Sequence, residues 1–223
     1  MRKYLYLAMA AASVAALAAP VAAGAADTAS PHVLTISKAG GTAVKPGAIL
    51  KSSLAKGTSA VFSLMGQTLT CKSASESAKV AKNPAKHGTA TESLTAMTIG
   101  KCTIKVKGIS GITVKSVKAN NLPYAVSVSD AKGDPVTVSG TSKTKPVKTT
   151  VTVTFLGSAI PCSYKATALK GAAANKANSI AFSKQKFTKV SGSSSCPPSA
   201  AFTATFAPVT DSSVKGNPKV FVN

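Results

Sequence analysis

The sequence predicts an all-β protein: an antiparallel immunoglobulin-like or related sandwich, stapled by two disulfides. Three observations carry this. Apolar residues recur at every second position in many short runs. Glycine, proline, asparagine and Lys-Gly pairs punctuate those runs every 8–12 residues or so, as in sandwich folds. Four cysteines follow an export leader, and an even set in an exported chain reads as a disulfide framework.

The chain opens with the leader. Arg2 and Lys3 precede an uncharged, mostly apolar run over 4–19, and Pro20 ends it. Ala23-Gly24-Ala25 and Gly24-Ala25-Ala26 are small-x-small cleavage sites. This is the three-part pattern of a secretory signal peptide, and the run is shorter than the roughly 20 residues of a spanning helix. Arg2-Lys3 is not a twin arginine, so the general secretion route is expected. Residues 1–26 are read as a removed signal peptide and 27–223 as a secreted β domain. No cysteine near the cleavage site supplies a lipid anchor, and no membrane association is expected after cleavage.

Strands are expected next at 33–37, 48–54, 60–64, 68–73 and 92–97. The stretch 73–82 has no clear alternation and is the one weak helical candidate. Ile104 and Val106 alternate with Lys105 and Lys107, and 112–117 follows as another strand. Strands at 124–130 and 135–140 flank Ala131-Lys132-Gly133-Asp134 and read as a β-hairpin, Pro135 being tolerable at a strand's first position. Val151, Val153 and Phe155 alternate with threonines. Further strands are expected at 162–169, 179–183 and 187–190, across Phe202, Ala204 and Phe206, and at 219–222. One apolar face and one Ser, Thr or Lys face fit a half-solvated antiparallel sheet.

Cys71, Cys102, Cys162 and Cys196 allow three pairings. A faint repeat favours 71–102 with 162–196. Phe62-Ser-Leu-Met-Gly66 precedes Cys71 and Phe155-Leu-Gly157 precedes Cys162, with glycine five residues before cysteine in both. A polar loop, then Ser93 or Ser179, then the second cysteine follow in each. The repeat suggests two similar halves, about 27–118 and 119–223, each owning one disulfide. Zinc is disfavoured, because no Cys-x-x-Cys pair or nearby histidine accompanies the cysteines.

The stretches 88–97 (GTATESLTAM), 121–141 (NLPYAVSVSDAKGDPVTVSGT) and 206–223 (FAPVTDSSVKGNPKVFVN) resemble a group of exported, Ser/Thr-rich, four-cysteine proteins of actinobacteria. The resemblance would span nearly all of the mature chain. It implies export and a β fold, with no assigned activity and no catalytic residues to carry over. This chain is much richer in lysine than the group.

Composition narrows the chemistry. There are 27 Lys+Arg against 6 Asp+Glu, a net charge of +21, and two histidines. Without the leader every cationic side chain is a lysine. Arginine forks, the usual tools of base and phosphate recognition, are absent there, so no specific nucleic-acid partner is expected. The lysine excess would attract anionic wall polymers, or it serves only to solvate strand faces and discourage sheet pairing.

Ser-x-x-Lys occurs at Ser53/Lys56, Ser129/Lys132, Ser142/Lys145, Ser183/Lys186 and Ser212/Lys215. Five matches without companion Ser-Asp-Asn and Lys-Thr-Gly elements point to chance rather than a nucleophile. His32 is expected in a mobile tail and His87 in an exposed loop, and no acid lies near either in sequence. Asp130 and Asp134 flank a turn, where aspartates usually cap backbone amides. No catalytic residue, cofactor or metal is assigned.

The expected function is a secreted, non-catalytic structural or interaction protein of the extracellular space or cell wall, with an unknown protein or an anionic wall polymer as partner. Two alternatives are a cationic binder of those polymers and a protease inhibitor presenting Cys196-Pro197-Pro198. An enzyme would need His87 to meet an acid and a nucleophile in space.

Overall fold

The computed structural model describes residues 31–223; the leader expected at 1–26 lies outside the described residues. The described residues form sixteen strands and no helix. In chain order these are β1 (Leu34–Ile36), β2 (Thr42–Ala43), β3 (Ile49–Ser53), β4 (Ala60–Leu64), β5 (Gln67–Lys82), β6 (Thr89–Val106), β7 (Thr113–Asn120) and β8 (Tyr124–Ser129). They continue as β9 (Pro135–Ser139), β10 (Val147–Phe155), β11 (Ser158–Ala166), β12 (Ala168–Ala174), β13 (Ser179–Ser191), β14 (Ser199–Phe206), β15 (Thr210–Asp211) and β16 (Val220–Val222).

The all-β antiparallel expectation holds, but the main sheet closes into an eight-stranded barrel instead of splitting into the two layers of a sandwich. Its order is β12-β9-β8-β6-β5-β4-β14-β13, and β13 pairs back onto β12. At that seam Gly171 lies opposite Phe182. A Cβ on Gly171 would meet the Phe182 ring at 2.8 Å and the Ala181 carbonyl at 2.7 Å, so only glycine lets the two strands approach.

The second half of β13 stays paired with β14, but its other edge passes from β12 to β11, which leads through β10 to β7. A bulge between Phe182 and Gln185 marks the change, which is why the sequence reads 179–183 and 187–190 as two strands. The barrel core is aromatic. Phe62 packs on Phe202 at 4.8 Å between ring centroids and on Phe187 at 6.4 Å, and Phe182 meets Phe206 edge-on at 6.5 Å.

The stretch 73–82 is strand, not helix. Ala74, Ala78 and Val80 are buried and Lys79 is exposed, so an alternation exists but is built on alanine and is faint. β5 and β6 are long because they serve both the barrel and its extension. Their ladder bulges between Ser77 and Ala78, and Lys101 sits in the left-handed region at φ 52°. Across these irregularities the inward set of β6 shifts from Ala90 and Leu94 to Met97 and Ile99, then to Ile104 and Val106.

Both disulfides pair as the repeat predicts, Cys71–Cys102 and Cys162–Cys196. Cys71 and Cys102 lie directly opposite on β5 and β6. The repeat is also visible as geometry. β4–β5 turns through Met65-Gly66 with Leu64 opposite Gln67, and β10–β11 turns through Leu156-Gly157 with Phe155 opposite Ser158. The two hairpins share one register, placing Ala60 opposite Cys71 and Val151 opposite Cys162. The second cysteines differ: Cys102 is in a strand, whereas Cys196 is in the loop after β13.

A small sheet, β16-β1-β2, joins the two ends of the described chain. Its Leu34, Val220 and Val222 border the barrel's inner cavity. Asparagines fasten it. The Asn83 side chain accepts from the Leu34 amide at 2.9 Å and donates to the carbonyls of Leu34 and Val44, both at 2.8 Å. Asn175 pairs with both backbone groups of Val222, and Asn178 donates to the Val220 carbonyl. Asn83→Ala would leave the Leu34 amide and the Val44 carbonyl unpaired, while the Leu34 carbonyl keeps the Val44 amide, and stranded groups cost more than the bonds themselves contribute. A loss of about 2 kcal/mol in urea-melt stability is expected; a change below about 0.5 kcal/mol would show that water replaces the amide at no cost.

Candidate functional site in the barrel interior

Two of the few carboxylates lie inside the barrel. Glu76 on β5 and Glu92 on β6 occupy inward positions, between Ala74 and Ala78 on one strand and between Ala90 and Leu94 on the other. Both line an inner cavity of about 50 Å³, with Leu50, Ala78, Val128 and Ile180 among its walls. Alanine at Ala78, Ala173 and Ala174 leaves room for the carboxyl groups in a mainly apolar surrounding, to which Ser52, Asn175, Asn178 and Ser179 add polar groups. A cavity that size exceeds the roughly 10–15 Å³ that one water requires.

The Ser52 hydroxyl, directly opposite on β3, donates to the Glu76 carboxyl at 2.7 Å. Burial pushes the Glu76 carboxyl above its ordinary range, and the Ser52 hydrogen bond only partly offsets that. Glu92 is pushed up to about 7, mainly by burial and further by the neighbouring Glu76 charge. Water stabilises an ionised carboxylate far better than an apolar lumen does, and two negative charges sharing that lumen disfavour each other.

Chemically this is a pair of carboxyls whose proton affinities are both raised by burial. Sterically the site is narrow, and both glutamates are half-buried. The plug sheet borders it on one side, and the aromatic cluster belongs to an adjoining cavity of about 40 Å³ that Glu76 also borders. Water fits beside the carboxyls; a polymer or sugar does not.

Sequence reasoning missed this pair. Glu76 was read into a weak helix and Glu92 as an ordinary strand residue. The available signal was period-two phasing, since each glutamate falls in register with the apolar set of its own strand.

The residues the sequence singled out are scattered. His87 lies in the β5–β6 loop, and its backbone amide, not its ring, donates to the Asp130 carboxylate. The acid is therefore close in space, but it caps the loop as a turn aspartate does. His32 is not in a free tail: it bridges to Ala85, and its carbonyl accepts from Asn223 at 2.7 Å. Ser142 accepts from the Lys145 amide and Ser129 from the Ala131 amide, so those Ser-x-x-Lys hydroxyls serve turns. Among the described residues no three His, Cys, Asp or Glu side chains gather as a metal site.

Cys196-Pro197-Pro198 is curled, not extended. The Cys196 amide donates to the Ser193 carbonyl at 3.1 Å, and the Lys189 ammonium donates to the Ser193 and Cys196 carbonyls at 3.2 and 3.0 Å. Among the described residues no helix is long and apolar enough to cross a membrane. Comparisons with protein-family models, curated proteins and solved structures gave no match.

Proposed function

We propose that the chain is an exported, non-catalytic interaction protein of the extracellular space or cell wall, held loosely to anionic wall polymer. The observation that carries this reading is the segregation of charge. Glu76 and Glu92 face the lumen, Asp211 is buried, and Asp130 and Asp134 are half-buried. Among the described residues, all lysines except Lys148 and Lys189 are exposed. No acid occurs at 93–129 or at 135–210. The outer surface is thus cationic with little internal neutralisation. The cavity beside the acid pair, about 50 Å³, is too small for a large substrate. The two disulfides fit an oxidising compartment outside the cytoplasm.

Lysines are flexible, strongly hydrated point charges, so they attract without geometric selectivity. The Debye length falls from about 10 Å at 0.1 M salt to about 3 Å at 1 M. Residues 27–223 should co-sediment with teichoic-acid-bearing wall fragments at low salt and be released well below 1 M. No sedimentation at low salt would remove polyanion binding from the reading. Retention at 1 M would assign recognition to a shaped site and leave the lysines a solvating role.

A further inference from the structure

A second cavity lies at the opposite end of β5 and β6 from their hairpin loop. Here the β7-β10-β11 extension faces the ends of β4, β5 and β6, leaving a cleft of about 170 Å³. Leu64, Ile104, Val106, Val153, Phe155 and Ile160 line it. No charged side chain does, and Gln67 and Ser195 add the only polar groups besides Tyr164. At this end Met65, Ile109 and Leu156 stand exposed on three separate turns, at 72%, 50% and 85%. Leu156 is held outward by a two-residue turn whose φ angles are both positive, 48° and 80°, as a type I′ hairpin requires.

Tyr164 gives the cleft its one deep polar feature. The residue is 1% exposed, and its hydroxyl is fully buried with no hydrogen-bond partner in the protein. The other tyrosine among the described residues, also buried, shows the contrast: the Tyr124 hydroxyl donates to the Lys148 carbonyl at 2.8 Å and accepts from the Lys148 amide at 3.1 Å. Buried hydroxyls are almost always satisfied, and an orphan one beside a cavity points to what enters that cavity. A phenol is protonated at neutral pH even at its ordinary value, and burial raises Tyr164 further, so its hydroxyl is an O–H donor without an acceptor.

We propose that this cleft binds a small, uncharged, apolar molecule carrying one oxygen acceptor, and that the Tyr164 side chain, whose hydroxyl is sealed in the cleft wall, turns to donate to that oxygen. Size and lining set the class. A cavity of about 150 Å³ walled by aliphatic and aromatic side chains takes a benzene-sized guest. The lining holds no charged side chain to pair a charged ligand, and a charge left unpaired there would be strongly disfavoured. Aryl ketones and short acyl esters meet both conditions. This site is independent of the lysine surface, and its failure would leave wall binding untouched.

The test uses two probes of nearly one shape, acetophenone and ethylbenzene, titrated into residues 27–223 by heteronuclear NMR. Acetophenone is expected to bind more tightly by about tenfold, the worth of one neutral hydrogen bond in a site that would otherwise strand its donor. Tyr164→Phe should erase that preference while ethylbenzene binds as before. Because loss of Tyr164 could disturb the fold, Ile109→Trp at the exposed mouth serves as a second variant and should block both probes. Absence of binding by either probe overturns the proposal. So does equal affinity in the native chain, a ketone preference that survives Tyr164→Phe, or unchanged binding in Ile109→Trp.

Discussion

Glu92→Gln is expected to stabilise the protein at pH 8 and to leave it nearly unchanged at pH 4. Glu92 is raised to about 7 in the folded protein from an ordinary 4.5. The folded state therefore holds a proton that the unfolded state releases between those values. Below about pH 4.5 both states are protonated, and the stability linked to this group is fully present. It falls as pH rises toward 7 and is gone above that, because the folded state must then ionise a carboxyl inside an apolar lumen. A shift of that size corresponds to about 3 kcal/mol.

Glutamine keeps the shape of the protonated acid and removes the titration. The variant should lose most of the downward slope between pH 4.5 and 7, with a remainder from Glu76, whose carboxyl is raised in the same direction. Urea melts of native and variant chains across pH 4–8 would measure this, and their difference cancels the background from the lysines. Equal pH profiles would mean that Glu92 reaches bulk water and that the lumen is open.

Replacing both Cys162 and Cys196 by alanine should cost about 3–4 kcal/mol. The bridge closes a 34-residue interval, and the chain-entropy model assigns that much to a loop of this length. Cys71–Cys102 closes 31 residues and should cost a similar amount by the same count. The two losses should differ in location. Cys71 and Cys102 are already opposed in the β5–β6 ladder, so hydrogen exchange there should change little below global unfolding. Cys196 is buried in a loop whose Ser195 and Pro197 border the Tyr164 cleft. Its removal should loosen 192–198 selectively. A stability change under about 1 kcal/mol for either pair would contradict the loop-closure account.

The sequence by itself determined the elements that alternate strongly. Val126 and Val128, Val151 and Val153, and Phe202, Ala204 and Phe206 lie in strands near their expected bounds because large apolar residues mark one face without ambiguity. The cysteine pairing was legible through the Gly66–Cys71 and Gly157–Cys162 spacings, since equal spacing from a tight turn imposes equal hairpin register.

Where alanine and serine replaced large residues, as at 73–82, the periodic signal weakened and a strand looked helical. Strand pairing there is decided by neighbours: β3 and β6 align along this part of β5 on its two sides and supply the hydrogen bonds that local propensity does not.

Only the tertiary structure decided between barrel and sandwich. Closure rests on long-range pairings, above all β4 with β14 across about 140 residues, and on Gly171 admitting Phe182 in the β12–β13 hairpin. The same closure made the site. Glu76 and Glu92 are sixteen positions apart in sequence and unremarkable there, and closing the sheet turned the face they share into an interior. Tyr164 became an orphan donor because β10 and β11 fold over the ends of β4, β5 and β6, removing water from a hydroxyl that no local pattern marks. Alternation sets which side of a strand a residue occupies; whether that side meets solvent, a core or a cavity depends on what the chain brings against it.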